Sequence, residues 1–347
     1  MSLSVYDGIQ SQKIQTDRGE FHFLEKPGDG ETFVLIHGNV SSSHFFQPLM
    51  GLLGNHRVIA PDLRGFGLSQ TLPVDATRGV RDFSDDVLAV LAELGVERAH
   101  ILGWSLGGGV AMQLALDAPE VVQSLTLEAP VSPYGFGGTW PDGRPLNDDA
   151  SGTGGGAANP DFVARVGSSD TSSDEQTSPR NVYRSSYVKN PDRVANEDLW
   201  VASMLSTKTG VDNYPGDAGA SEHWPGFGAG SKGVLNSLSP KHFNVSALAT
   251  SGATFPVLWI RGDSDAIVND ASFFDLNQLG AVGIVPGWPG DEVAPAQHML
   301  KQTRQVLEAY QAAGGSYREV VFEDCGHSPH LEYSERFAAE LLSNIGS

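Results

Sequence analysis

The chain has 347 residues, with 42 acidic against 22 basic side chains and a net charge of −20. That balance argues against nucleic acid or an anionic membrane as a partner, and no stretch approaches the roughly 18 to 20 apolar residues of a membrane-spanning helix. A single cysteine, Cys325, forbids an intramolecular disulfide, and Met1-Ser2-Leu3-Ser4-Val5 lacks the basic start and apolar stretch of a signal peptide, so a cytoplasmic location is expected.

In chain order, residues 11–26 read as edge strands, with alternation around Glu20-Phe21-His22-Phe23-Leu24. Short apolar strands follow at Thr32–Ile36 and Arg57–Ala60. Phe83, Val87, Val90, Leu91 and Leu94 fall on one face of a helix that ends at Gly95. Ala99-His100-Ile101-Leu102 is a buried strand, and Gly108–Leu116 is an Ala-rich helical stretch that halts near Pro119. Ser124–Ala129 is the next strand. Strands alternating with amphipathic helices predict a mostly parallel α/β sheet covered on both faces. The length accommodates one such core plus an inserted subdomain.

Beyond Pro130 the composition changes. Residues 131–180 are crowded with Gly, Ser, Asp and Pro, and a second loose patch runs over 215–233. Helices are expected over 160–166 and 191–205. Trp140, Phe162, Tyr183, Tyr187, Trp200, Met204, Trp224 and Phe227 set this stretch apart from a disordered loop, because such residues are scarce in segments that bury no surface. Residues 255–260 and 317–322 then read as two further strands, with a helix over 295–313 between them, preceded by a short insertion at Val285-Pro286-Gly287-Trp288-Pro289-Gly290.

Three chemically competent groups sit just past the ends of predicted strands, where sites form on open parallel sheets. Gly103-Trp104-Ser105-Leu106-Gly107 joins a strand to a helix in the G-x-S-x-G pattern of a nucleophile elbow, a turn so sharp that its serine is strained and its flanking positions favour glycine. The reward for that strain is a hydroxyl at a helix N-terminus, where backbone N–H groups can hold an oxyanion. A serine nucleophile needs a base and a group to orient it. Asp263 or Asp265 follows one later strand, and His327 or His330 follows the last. Cys325 is read as a small buried thiol, since it lacks the elbow. Asp62 and Arg64 are read as structural, holding a loop beside the site. No metal-ligand spacing appears, and neither a metal nor a cofactor is expected.

The chain resembles the α/β-hydrolase superfamily in its serine-nucleophile branch with an inserted cap. The resemblance is carried by Val34-Leu35-Ile36-His37-Gly38-Asn39, Pro61-Asp62-Leu63-Arg64-Gly65-Phe66-Gly67-Leu68-Ser69, the elbow, Gly262-x-x-Asp265-x-x-Val268 and Gly326-His327. These segments cover about residues 20–130 and 255–345. The resemblance implies a core of 1–130 and 251–347, with a mainly helical cap over 131–250 inserted after the strand that follows the elbow. It implies a Ser105–His327–Asp265 triad, with Asp265 favoured over Asp263 and His327 over His330. It also implies an oxyanion hole made by the backbone N–H groups of Asn39 and Leu106.

Those parts imply a serine esterase or related acyl hydrolase acting on a small molecule. An asparagine at position 39 also occurs in haloalkane dehalogenases, but those enzymes and the epoxide hydrolases need an aspartate at the elbow. Lactonase, carbon–carbon bond hydrolase, cofactor-free perhydrolase and proline-aminopeptidase-like activities stay open within the branch. A small-molecule receptor with a slow triad is the reading from a different class.

Overall fold

The computed structural model describes residues 3–345. Its centre is an eight-stranded sheet made of β1 (Gln10–Thr16), β2 (Gly19–Lys26), β3 (Thr32–Ile36), β4 (Arg57–Pro61), β5 (Ala99–Trp104), β6 (Val122–Glu128), β7 (Pro256–Gly262) and β8 (Ser316–Phe322). Their order across the sheet is β1-β2-β4-β3-β5-β6-β7-β8. The pairs β1/β2 and β2/β4 are antiparallel and the other pairs are parallel. The sheet therefore has the α/β architecture that the sequence predicts, with an antiparallel edge.

The central strands are apolar because helices cover both of their faces. Every residue of β5 is buried, and Val34, Ile101, Leu125 and Val257 stand in register across four neighbouring strands. The helix Arg81–Glu93 buries Phe83, Val87, Val90 and Leu91, the stripe expected from their spacing. The helix Leu106–Asp117 is apolar all round and correspondingly sunk in the core. Among the described residues no helix is long and apolar enough to cross a membrane.

The stretch of residues 131–250 lies between β6 and β7 in the chain. Its longest elements are the helices Pro160–Gly167 and Glu197–Leu205, and it also carries two short β pairs. Tyr183, Trp200 and Met204 are buried and join the main core, so the segment is folded against the sheet. The helix expected over 191–205 is in fact a single 3-10 turn, Pro191–Arg193, followed by a helix that begins at Glu197. Asn196 between them has a left-handed backbone (φ 62°), a conformation asparagine tolerates and a continuous helix cannot contain. The helix expected from residue 295 likewise begins at Met299, because the Gln297 N–H is donated to Asp275 Oδ2 (2.7 Å) instead of entering a helical ladder.

Two buried charge clusters hold the loops beside the site. Arg64 forms a two-pronged bond to Asp86, Nε to Oδ2 at 2.6 Å and Nη2 to Oδ1 at 2.7 Å, and Nη1 reaches the Pro73 carbonyl (2.8 Å). Asp62 accepts from the Ser43 N–H (2.8 Å), the Leu68 N–H (2.9 Å) and His22 Nδ1 (2.6 Å). Burial raises the Asp62 pKa, but the bond from His22 and the neighbouring imidazoles outweigh it and hold the carboxyl well below the usual carboxylate range. Truncating Arg64 to alanine strands Asp86 with Arg18 as its remaining partner (2.7 Å). Urea titration of the Arg64→Ala variant is expected to show a loss of about 3 kcal/mol, the lower end for breaking a buried pair. A loss under about 1 kcal/mol, the size of an exposed pair, would contradict this account.

Candidate active site

The elbow is built by close approach. A Cβ at Gly103 would lie 2.1 Å from the Gly107 carbonyl oxygen, and a Cβ at Gly107 would lie 2.1 Å from the Ile36 carbonyl oxygen. Only glycine fits either place, so the first turn of the following helix can press against the ends of β3 and β5. Ser105, between them, is held at φ 58° and ψ −117°, a strained conformation for a residue with a side chain. Its N–H donates to the Glu128 carbonyl (2.9 Å), while its own carbonyl accepts from Gly108 N–H (2.9 Å) and Val131 N–H (3.1 Å). These bonds anchor the strained residue to β6 and to the chain just beyond it.

The other predicted groups converge on the same place. His327 Nδ1 lies 2.8 Å from Asp265 Oδ2, and both residues are buried. The second oxygen of Asp265 accepts from the N–H groups of Ile267 (2.7 Å) and Val268 (3.0 Å), which fixes the carboxylate. A carboxylate accepts, so Nδ1 of His327 is the donor of this bond and Nε2 is left outside it. Trp104 Nε1–H donates to the His327 carbonyl (2.8 Å) and ties the histidine loop to the elbow. Asp263 is exposed, accepts from the Ser264 hydroxyl (2.9 Å) and does not touch His327.

Asn39 and Leu106 flank Ser105. The Leu63 N–H donates to His37 Nε2 (3.0 Å), so His37 carries its proton on Nδ1, 2.7 Å from the Gly38 carbonyl oxygen. Burial holds the His37 pKa below its ordinary value, which keeps this neutral form. Ser41 Oγ donates to the same carbonyl (2.8 Å). With Gly38 C=O pinned this way, the planar trans peptide turns the Asn39 N–H to the opposite side. Among the described residues, neither the Asn39 N–H nor the Leu106 N–H donates to a protein acceptor.

Ser105, His327, Asn39 and Leu106 all line one cavity of about 690 Å³, within the range of small-molecule sites. Residues 131–250 and the stretch after Asp265 supply most of its wall, including Phe136, Phe162, Tyr187, Tyr214, Phe273 and Phe274. The Tyr187 hydroxyl donates to the Asn39 carbonyl (2.9 Å), and its ring meets the His327 ring edge-on with centroids 6.3 Å apart. Among the described residues no group of three or more His, Cys, Asp or Glu is placed to hold a metal ion.

Three features escape the sequence reading. Glu128, at the end of β6, accepts through Oε1 from both the N–H (2.9 Å) and Nδ1 (2.7 Å) of His330, and neither residue is exposed. The His330 ring packs edge-on against Trp104 and tilted against Phe46, each with centroids 4.9 Å apart, so it is a buried anchor near His327. A buried charged residue ending an otherwise uncharged strand is the available signal. Tyr187 enters the sequence reading only as one of the aromatics that set this stretch apart from a disordered loop, with no sign of its bond to the loop of Asn39. Asp275 lines the cavity with a carboxyl that burial pushes up to about 6, against the pull of the Gln297 and Asn277 N–H groups.

With fold and site in view, the family is plain. The sequence matches the alpha/beta hydrolase fold family over residues 31–281, and the chain belongs to that family. It is 44% identical over 103 residues to a putative carbamate hydrolase RutD of Variovorax paradoxus (strain S110), a stretch that is 29% of this chain and 38% of that protein. It is 39% identical over 104 residues to a pimeloyl-[acyl-carrier protein] methyl ester esterase of Aliivibrio salmonicida (strain LFI1238), which is 30% of this chain and 37% of the relative. The chain thus spans well under half the length of these relatives. Among solved structures, the esterase RhEst1 from Rhodococcus sp. ECU1013 superposes with a TM-score of 0.61 at 21% identity, covering 98% of this chain and 99% of its own. The epoxide hydrolase CorEH gives the same TM-score of 0.61 at 19% identity over 97% of this chain and 99% of its own. These structural likenesses extend the shared fold over nearly the whole chain.

Cys325 supplies a test of the site's packing. Its thiol is buried, and burial together with Glu332 and Glu128 pushes its pKa far above the ordinary thiol value. Iodoacetamide is expected to leave the native protein unmodified and to add one equivalent after denaturation, read by intact mass. Rapid labelling of the native protein would show that the histidine loop is not packed as described.

Proposed function

We propose that the protein is a serine hydrolase that cleaves a carboxylic ester or related acyl bond of a small molecule. The observation that carries this reading is the strained Ser105 at a helix N-terminus sharing a cavity with His327, whose Nδ1 is bound to Asp265. In the proposed sequence, Ser105 Oγ attacks the acyl carbon as its proton passes to His327 Nε2. Asp265 stabilises the imidazolium, and the Asn39 and Leu106 N–H groups hold the tetrahedral oxyanion. Collapse expels the alcohol, which takes the proton from His327. Water, deprotonated by His327, then attacks the acyl-enzyme, and Ser105 recovers its proton as the acid leaves.

The relatives' names, a carbamate hydrolase and a methyl ester esterase, agree with acyl–heteroatom cleavage. Residues 131–250 act in this reading as the cap that excludes water from the acyl-enzyme and selects the substrate, with the core over 1–130 and 251–347. The buried, unpaired Cys325 suits a cytoplasmic setting.

A fluorophosphonate probe is expected to label Ser105, as read by peptide mass spectrometry, and Ser105→Ala is expected to lose both labelling and hydrolysis of p-nitrophenyl esters. Asp265→Asn is expected to lower kcat about 10⁴-fold, because the imidazole loses its tautomer and orientation. Asp263→Asn should keep its activity. Probe attachment elsewhere, or an Asp265→Asn enzyme as fast as the parent, would refute the assignment.

A further inference from the structure

Asp275 stands apart from the other buried carboxylates. Asp62, Glu128 and Asp265 each bond to an imidazole Nδ1, of His22, His330 and His327 respectively. Asp82 and Asp86 are paired with arginines. Asp275 and Glu332 bond to no cation among the described residues. Glu332 uses its oxygens on the Gly326 N–H (2.6 Å) and the Asn190 N–H (3.0 Å), in the loop behind His327 and away from the cavity wall.

Asp275 is 2% exposed, and it lines the cavity that holds Ser105. Its Oδ1 accepts from the Asn277 N–H (3.0 Å) and its Oδ2 from the Gln297 N–H (2.7 Å). Each oxygen keeps a further lone pair. A buried carboxylate normally has a cationic partner, since an uncompensated charge in a low-dielectric site is costly. Among the described residues no lysine or arginine lines this cavity, and Asp275 is the one acidic residue in its wall. The rest of the wall is largely apolar and rich in aromatic rings, among them Phe136, Phe162, Phe274 and Tyr214. Ring faces attract quaternary and alkyl ammonium groups.

We infer that Asp275 is a specificity determinant which selects substrates carrying an alkylammonium group and rejects those carrying a second carboxylate. The inference rests on the serine-hydrolase reading above. The ammonium is the missing counter-charge of Asp275, held among the aromatic rings while the acyl carbon sits at Ser105. An anionic group at the same place would meet the carboxylate with no cation to offset it.

Asp275 is pre-set for this role by a network of amides. Gln297, which donates its N–H to Asp275, also accepts from the Gly137 N–H (2.5 Å) and donates Nε2 to the Gly135 carbonyl (3.1 Å) and to Gln302 Oε1 (2.6 Å). Gln302 in turn accepts from Ser132 Oγ (2.7 Å) and donates to Thr139 Oγ1 (2.9 Å). The network uses neutral donors and acceptors throughout, so it orients the carboxylate without neutralising it.

The test compares three esters of one acid: a choline ester, its neutral 3,3-dimethylbutyl isostere and an ester whose alcohol ends in a carboxylate. The parent enzyme is expected to favour the choline ester over the isostere by about tenfold in kcat/KM, the size of one buried cation–π or ionic contact, and to disfavour the anionic ester by at least as much. Asp275→Asn, which keeps an acceptor for the capping N–H, is expected to bring the choline-to-isostere ratio close to one. A parent ratio near one overturns the inference, as does a ratio that survives in a folded Asp275→Asn variant. If that variant does not fold, binding of hexyltrimethylammonium to the parent enzyme is measured by calorimetry against its uncharged carbon isostere. Preference for the cation supports the role of Asp275, and equal affinity overturns it. Absence of all ester turnover and of fluorophosphonate labelling would refute the serine-hydrolase reading, and the calorimetric comparison would still decide the cation site separately.

Discussion

The contact on which the site depends is the approach of Gly107 to the Ile36 carbonyl at the end of β3. A side chain there would collide with backbone, and backbone at the end of a buried parallel strand cannot give way without breaking the ladder to its neighbours. The helix Leu106–Asp117 must therefore begin within a residue of where β5 ends. That forces the reversal onto Ser105, whose positive φ is held by bonds to Glu128 and Val131. Because the strain is fixed by the sheet, the free N–H groups of the helix start and the serine hydroxyl share one fixed geometry. The proposed oxyanion donors and the proposed nucleophile are thus consequences of a single packing constraint.

A second device, repeated three times, ties the loops of this face together. Buried imidazole Nδ1 meets a buried carboxylate at His22–Asp62, His327–Asp265 and His330–Glu128, joining positions 40, 62 and 202 residues apart. The pairs share a chemistry, and access separates their roles. His330 is sealed under Trp104 and Phe46, so its ring can only hold the loop. His22 has its second nitrogen 2.8 Å from the Ser11 hydroxyl. Of the three, His327 alone lines the cavity, where its Nε2 is the proposed base.

How much of this could be read from residue order follows from how local each cause is. Strand and helix periodicity is local, so the sheet and the helix Arg81–Glu93 were legible, as was the elbow, whose glycines lie within five residues of each other. Choosing Asp265 over Asp263 needed a resemblance, since both follow the same strand and only the direction of the chain after Gly262 turns one of them toward His327. Glu128 found its partner 202 positions later, beyond any pattern in sequence. The layer over 131–250 was least legible because irregular side-chain bonds hold it, such as Thr153 Oγ1 to Ser239 Oγ (2.7 Å), which have no period. Even its helix boundaries turned on one left-handed asparagine, Asn196.

The same division explains why reaction class and substrate class are written in different parts of the chain. The proposed catalytic geometry is set by backbone contacts of the sheet, where the addition of one atom is forbidden by the carbonyls around Gly103 and Gly107. The cavity wall is set by side chains on loops, where Asp275, Phe273 and Phe274 follow Asp265 by only eight to ten residues and do not enter the sheet. In a mostly apolar space a single uncompensated charge acts over a longer range, because an apolar surround screens it weakly. One carboxylate there outweighs many apolar contacts in deciding which ligands enter, since apolar walls discriminate weakly among isosteres while an unpaired charge penalises every ligand that fails to complement it. The amide network that positions Asp275 reaches back through Gln302 to Ser132, just beyond the residue that anchors Ser105. The groups proposed to select the ligand and to attack it are therefore both tied to the chain at and just beyond the end of β6.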